Sequence, residues 1–292
     1  MTTLNASVKA APRKNTFWAK WFRDPLAVLG LLIVLAFVVM ALFAPQLAPF
    51  DPAAPDLRNR LTEPGVGGHV LGTDQLGRDI LSRLIYGSRV TLIVGFGGVI
   101  LTAIIGVALG LWAGYAGGKV EAVIERIVDT LISIPGILLY LTAIGVFGPS
   151  LTMLIIVIGA INWTTFSRVV RAEVLGLKGR EFVEAARALG QNDTRIALKH
   201  ILPNLISSVI VVGTLNVATI VILEATLSFL GFGVQPPTVT WGGMLSEGRD
   251  YIASAWWLAT FPGLAISLLS LGLIFMGDRL RDLLDPRLRN RD

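Results

Sequence analysis

The chain has 292 residues, 53% of them hydrophobic and only 15% charged, with a mean hydropathy of +0.69. That composition lies outside the range of soluble domains and assigns an integral membrane protein. The formal charge of +5 does not point to nucleic acid, because the basic residues lie between apolar runs rather than on one amphipathic face with interleaved aromatics. The lack of cysteine excludes a disulfide framework, a thiol nucleophile and a cysteine-based metal site.

Apolar runs of about 20 residues cross roughly 30 Å of hydrocarbon. Six such runs predict an all-α polytopic protein with transmembrane helices near 26–44, 90–114, 128–147, 151–166, 206–230 and 255–276. The first is too long, and its polar lead too extended, for a secretory signal, so it reads as a retained anchor. In the second, Gly106, Gly110, Gly114 and then Gly118 recur at four-residue spacing and form a stripe where another backbone can approach closely. Contact with a second subunit and packing within this chain both fit that stripe. Pro135-Gly136 in the third span and Pro262-Gly263 in the sixth remove backbone hydrogen bonds and permit kinks.

Positive charge in the connections sets the expected orientation. With the N-terminus inside, the cytoplasm receives nineteen of the Lys and Arg residues, including Lys9, Arg13, Lys14, Lys20 and Arg23, seven in the 168–200 loop and five after Met276. The outside receives six, five of them in the first loop, where Asp51, Asp56, Glu63, Asp74 and Asp79 offset them. Both termini are expected to be cytoplasmic.

The polar loop near 168–205 reads as two short helices. The first contains Glu184, Ala185, Ala186 and Leu189 and ends at Gly190, which suits the left-handed conformation past a helix end. Asn192 or Asp193 caps the second, whose run through Ile196, Leu198 and Ile201 is expected to stop near Pro203. Elsewhere, Glu224 is a charge within a span, where placement at mid-membrane costs about 2.5–3.5 kcal/mol. It falls near the outer end of its helix, either lining an outer cavity or interface, or making a structural helix-end contact. Asn162 and Asn216 read as interhelical hydrogen-bond partners or as cavity residues. His69 and His200 fall on opposite sides of the membrane and cannot share a metal. No catalytic constellation is apparent. A phosphate-binding P-loop is also missing: around Gly118-Lys119 the first glycine is replaced by Ala113 and the hydroxyl residue by Val120.

Glu184-Ala185-Ala186, Gly190 and Leu202-Pro203 resemble the EAA loop of type I binding-protein-dependent ABC importer permeases; His200 stands where the general pattern has isoleucine. Gly72-Thr73-Asp74-Gln75-Leu76-Gly77-Arg78-Asp79 is similar to a stretch of the C subunit of dipeptide and oligopeptide permeases. So are Glu224-Ala225 with Leu227 to Gly231, Gln235-Pro236-Pro237, Trp241-Gly242, and the closing Leu284-Asp285-Pro286-Arg287-Leu288. The resemblance implies a type I ABC importer (MetI-like) permease fold in a bacterial inner membrane. It divides the chain into a cytoplasmic segment 1–25, a first span and extracytoplasmic loop 26–87, a permease domain 88–277 with a coupling loop 168–205, and a cytoplasmic tail 278–292. It implies peptide import by alternating access, with nickel complexes or glutathione as alternative cargo. Glu181, Glu184, Ala185, Ala186, Arg187, Gly190, Leu202 and Pro203 would couple to an ATPase, and Asp74, Asp79, Gln235 and Trp241 would dock a binding protein. The implied partners are a homologous B-type permease, two ATPase subunits carrying ATP and Mg, an extracytoplasmic peptide-binding protein and the bilayer. This chain itself would bind no cofactor and catalyse nothing. A passive channel or secondary transporter is the more distant alternative.

Overall fold

The computed structural model describes residues 21–284. Lys9, Arg13, Lys14 and Lys20, most of the 1–25 segment and positions 285–292 of the tail lie outside the described residues. Within them the chain is helical, in the order α1 (Pro25–Leu42), α2 (Ala44–Leu47), α3 (Ile80–Ala116), α4 (Gly118–Ser133), α5 (Gly136–Phe147), α6 (Leu151–Lys178), α7 (Glu181–Ala188), α8 (Asp193–Ile196), α9 (Leu202–Phe229), α10 (Trp241–Gly248) and α11 (Trp257–Leu284). α1, α3, α6, the 37-residue run Asp193–Phe229 and α11 are each long and apolar enough to cross a membrane.

The third expected span is different. Instead of one helix over 128–147, α4 and α5 meet at a bend of 91°. The cause is local. Pro135 offers no N–H, and its ring pushes the preceding residue out of the helical region, so Ile134 is extended at φ −98° and ψ 133°. α4 is also amphipathic: Ile124 and Val128 pack with Ala113 and Trp163, while Glu121, Glu125 and Asp129 carry charge.

Other boundaries move outward. α3 begins at Ile80, because the Asp79 carboxylate accepts from Ser82 N at 2.7 Å and caps a first turn whose polar residues pack under the preceding loop. α6 continues to Lys178. The helix after Asn192 does not stop at Pro203. It passes through a π-helical turn, Ala197–Ile201, in which Leu202 N donates to Ala197 O, and Pro203 enters α9 in its first turn. That position tolerates a missing N–H.

α3 and α6 pack most extensively, through the glycine stripe. A Cβ added at Gly110 would lie 2.6 Å from Ser167 O, and one at Gly114 would lie 2.8 Å from Val174 Cβ, whereas Gly118 meets nothing within 4 Å. The stripe over 106–114 is therefore used inside this chain. α1 presents Ala27, Gly30, Val34, Phe37 and Ala41 as a narrow buried strip, with Gly30 against Gly272 of α11. Its other faces expose Leu26, Leu29, Leu32 and Leu35, the surface expected where lipid is the solvent.

Candidate functional site

α7 and its supports form the most distinctive polar unit. α7 opens with Glu181 and Glu184 in its first turn, where the exposed N–H groups favour negative charge. Val183 and Ala186 turn inward onto Leu111, Val170, Val174, Ile196, Ile201 and Leu205. Glu181, Phe182, Glu184, Ala185, Arg187 and Leu189 stay exposed, Leu189 at 81%. Ala185 and Ala186, both among the expected coupling residues, thus differ: Ala185 is exposed and Ala186 is turned into the core. Leu202 is half-buried and Pro203 exposed.

The turn after α7 is closed by backbone bonds. Gly190, at φ +75°, donates to Arg187 O at 3.0 Å, and Gln191 N donates to Ala186 O at 3.2 Å. This paired Schellman arrangement needs a residue that accepts positive φ. Asn192 then caps α8 by accepting from Arg195 N at 2.9 Å. Three further contacts tie the unit to the bundle. His200 Nε2 and Gln191 Oε1 are 2.8 Å apart, Tyr115 O–H donates to Asp193 Oδ1 at 2.6 Å, and Lys178 Nζ donates to Tyr115 O at 2.6 Å. The sequence reading missed Tyr115, Lys178, Gln191 and Asp193 as anchors. Trp112 and Tyr115 closing an apolar run were the available signal, since such aromatics mark a span's end.

At the opposite end of the bundle, the loop before α3 is locked to α10. Arg83, buried, pairs with Asp74 and reaches Glu247 at 2.8 and 3.2 Å, while Arg78 reaches Glu247 at 2.7 Å and Asp74 at 2.6 Å. Burial alone pushes the Glu247 carboxyl up, but the hydrogen bonds and charge of Arg83, with the charge of Arg78 and the Gln75 amide, outweigh it and hold the group below the usual carboxylate range. Asp79 pairs with His69 at 2.9 Å, Trp241 Nε1 donates to Leu84 O at 2.9 Å, and Trp257 Nε1 donates to Thr73 O at 3.1 Å. Asp74, Asp79 and Trp241 are therefore internal and offer no side-chain surface to another protein, whereas Gln235 is exposed on the loop before α10.

Glu224 is fully buried near the end of α9, accepting from Ser228 Oγ at 2.7 Å and Thr91 Oγ1 at 3.3 Å. Its carboxylate is enclosed by this chain. Asn162 accepts from Tyr140 O–H at 2.7 Å, and Asn216 donates to Val212 O at 2.9 Å, within its own helix rather than across to another. Among the described residues no cluster of His, Asp and Glu could hold a metal ion.

Comparison with known proteins gives a consistent result. Residues 106–290 match the family described as binding-protein-dependent transport system inner membrane component, and residues 15–64 match the N-terminal TM domain of oligopeptide transport permease C. The chain is 40% identical to the di/tripeptide transport system permease protein DppC of Pseudomonas aeruginosa over 97% of this chain and 95% of that protein. It is 42% identical to the dipeptide transport system permease protein DppC of Alkalihalophilus pseudofirmus (92% and 88% covered). It is 39% identical to the glutathione transport system permease protein GsiD of Pectobacterium atrosepticum (94% and 91%). Among solved structures, an inward-facing MetNI methionine ABC transporter chain aligns with a TM-score of 0.55 at 22% identity, covering 70% of this chain and 97% of that one. That likeness is one of fold.

Proposed function

We infer the role of this chain from its membership: it belongs to the binding-protein-dependent transport system inner membrane component family, and it acts as the permease subunit of an ABC importer for dipeptides and oligopeptides. The observation that carries the substrate class is the 40% identity to a di/tripeptide permease across nearly the whole of both chains. The glutathione permease relative, at 39%, supports a second reading in which the cargo is that modified tripeptide.

The chain supplies no P-loop, so ATP and Mg bind two partner ATPase subunits. α7 is the coupling helix. Its exposed Glu181, Glu184, Ala185 and Arg187 enter the ATPase cleft, with Leu189 and Phe182 as the apolar part of the same surface. Val183, Ala186, the Gly190 turn and Leu202-Pro203 fix the angle at which that surface is presented. A rigid presentation matters because displacement in the ATPase cleft does work on the bundle only if the contact does not give. Closure of the ATPase pair opens the pathway outward, and hydrolysis with product release returns it inward. Each ligand shifts that equilibrium only by its differential affinity for the two states.

Positive charge on the 168–200 loop supports a topology with α7 and both termini in the cytoplasm. The ion-paired loop before α3, together with α10 and the exposed Gln235 loop, then faces outward. There Asp74, Asp79 and Trp241 hold the shape of the surface on which a peptide-binding protein docks. A homologous B-type permease completes the pathway in the inner membrane.

The test is peptide-stimulated ATP hydrolysis in proteoliposomes holding this chain with its permease, ATPase and binding-protein partners. Glu184→Lys reverses a charge on the exposed face and should abolish stimulation while leaving insertion intact. Full stimulation by the variant at equal expression defeats the coupling assignment. Stimulation by glutathione and not by di- or oligopeptides moves the substrate to the second reading.

A further inference from the structure

α6 has one face against α3, carrying Trp163, Ser167, Val170 and Val174. Away from that face, Asn162, Thr165 and Arg168 interrupt the apolar surface that lipid would require. At 1.5 Å per residue, Asn162 and Thr165 lie roughly 17 and 21 Å from the Leu151 end, within the depth of a hydrocarbon core, and Arg168 lies about 26 Å from it, near the inner edge where the polar loop begins. Thr165 and Arg168 are exposed, and Arg168 Nη2 pairs with Asp129 Oδ1 of α4 at 2.9 Å, the two side chains 47% and 61% accessible. Charged groups turned toward lipid at this depth are costly and rare, and they mark aqueous or protein-lined surfaces.

A second observation falls on the same face. The break at Ile134, Pro135 and Gly136 is exposed, as are Thr130 and Ser133. Non-helical backbone at membrane depth persists only where protein covers it or water reaches it, because its peptide groups find no partner in lipid. Exposed apolar residues elsewhere, such as Ile100 and Ile104 of α3, mark the contrasting lipid-facing surface.

Building on the importer reading above, we propose that Asp129, Arg168, Thr165 and Asn162, with the α4–α5 break, form a water-lined strip that contacts the peptide, Asp129 taking its ammonium and Arg168 its carboxylate. The chemistry fits a zwitterion. A free peptide carries both charges, separated by about 7 Å in an extended dipeptide, so the pair must part to hold both ends. An exposed ion pair is weak and parts readily. With no peptide present the two side chains satisfy each other and close the strip. Arg171, held by Glu121 and 3.5 Å from Glu125, ties α4 to α6 one turn further along and keeps Asp129 opposite Arg168.

The chain contains no cysteine, so Thr165→Cys introduces one thiol into it. In the assembled importer in proteoliposomes, with the binding protein delivering dialanine, a membrane-impermeant thiol reagent should modify Thr165→Cys and leave Ile104→Cys unmodified. The unaltered chain controls for partner thiols. Dialanine should slow the modification, and the concentration giving half-protection should rise about tenfold or more when Asp129→Asn or Arg168→Gln is added, the loss expected for one charged hydrogen bond. An unmodified Thr165→Cys in an assembly that still takes up dialanine overturns the inference, because the strip is then covered by lipid or by the partner permease. Modification with protection unchanged by both charge variants also overturns it. Failure of the unaltered assembly to take up dialanine is a different result: it defeats the importer reading and the inference with it.

Discussion

Glu247→Gln is the most informative perturbation of the lock between the loop before α3 and α10. The substitution keeps the shape but removes the charge that accepts from Arg83 at 2.8 and 3.2 Å and from Arg78 at 2.7 Å. Hydrogen bonds to charged groups contribute about 1.5–3 kcal/mol each, and breaking a buried pair costs about 3–5 kcal/mol. Two features lower the figure here: the Glu247 side chain is 30% accessible, and Asp74 continues to neutralise Arg83 and Arg78. About 2 kcal/mol remains, close to a 30-fold change in the unfolding equilibrium and a fall in Tm of about 3 °C for a chain of this size. The assay is denaturant or thermal unfolding of the solubilised subunit followed by tryptophan fluorescence, since Trp241 and Trp257 are buried beside the lock. The effect has a defined pH window. The folded carboxyl lies below its ordinary value of about 4.3, so its contribution is complete above that value, declines as pH falls through the lowered folded value, and is gone below it. The wild type and Glu247→Gln should therefore differ at pH 7 and converge in strong acid. Equal stability at pH 7, or a difference that persists unchanged into strong acid, refutes the reasoning.

Two further outcomes follow from the helix packing and from the α7 unit. Gly110→Ala places a Cβ 2.6 Å from Ser167 O and should lower the yield of folded subunit, with a cost of about 1–3 kcal/mol for overpacking. Gly176→Ala, in the same helix pair but with nothing within 4 Å, should stabilise by up to about 1 kcal/mol, and the pair is read by unfolding of the two variants side by side. Tyr115→Phe removes the donor to Asp193 and should leave basal ATP hydrolysis of the assembly in place while reducing peptide stimulation several-fold, an effect of about 1 kcal/mol; undiminished stimulation would show that this anchor does not stiffen the loop.

Much of the fold was legible because long apolar runs are set by the bilayer itself. The helices near 26–44, 206–230 and 255–276 needed only length and composition. What hydropathy could not see was backbone chemistry. The run over 128–147 looks continuous, yet a single X-Pro step turns the chain through 91°. Pro203 looks like a terminator, yet the π turn before it re-pairs Leu202 with Ala197 and carries the helix on. The glycine stripe was visible, but which partner it faces depends on tertiary placement, and only the contacts with Ser167 and Val174 decide it. In the candidate site, the Gly190 turn and the Asn192 cap were readable from residue type. The inward rotation of Ala186 was not, because an eight-residue helix carries too few apolar positions to fix its phase. Asp74, Asp79 and Trp241 read as surface residues because loops are usually polar and solvated; Trp241 is buried by a bond to Leu84 O 157 residues away, Asp74 by Arg78 and Arg83, which also reach the distant Glu247, and Asp79 by the His69 pair and its helix cap.

The unbroken run from Asp193 to Phe229 spans 37 residues, about 55 Å at the rise of an α-helix. It starts three residues beyond the Gly190 turn and ends five residues past Glu224, so the two faces of the membrane share one lever arm. A tilt of only 5° about its middle shifts each tip by roughly 2 Å in opposite directions, the scale on which packed helices slide past one another. Because Glu224 accepts from Thr91 of α3 close to the far tip, such a stroke bears on α3 as well, and the two ends of the bundle are linked as ends of one crank.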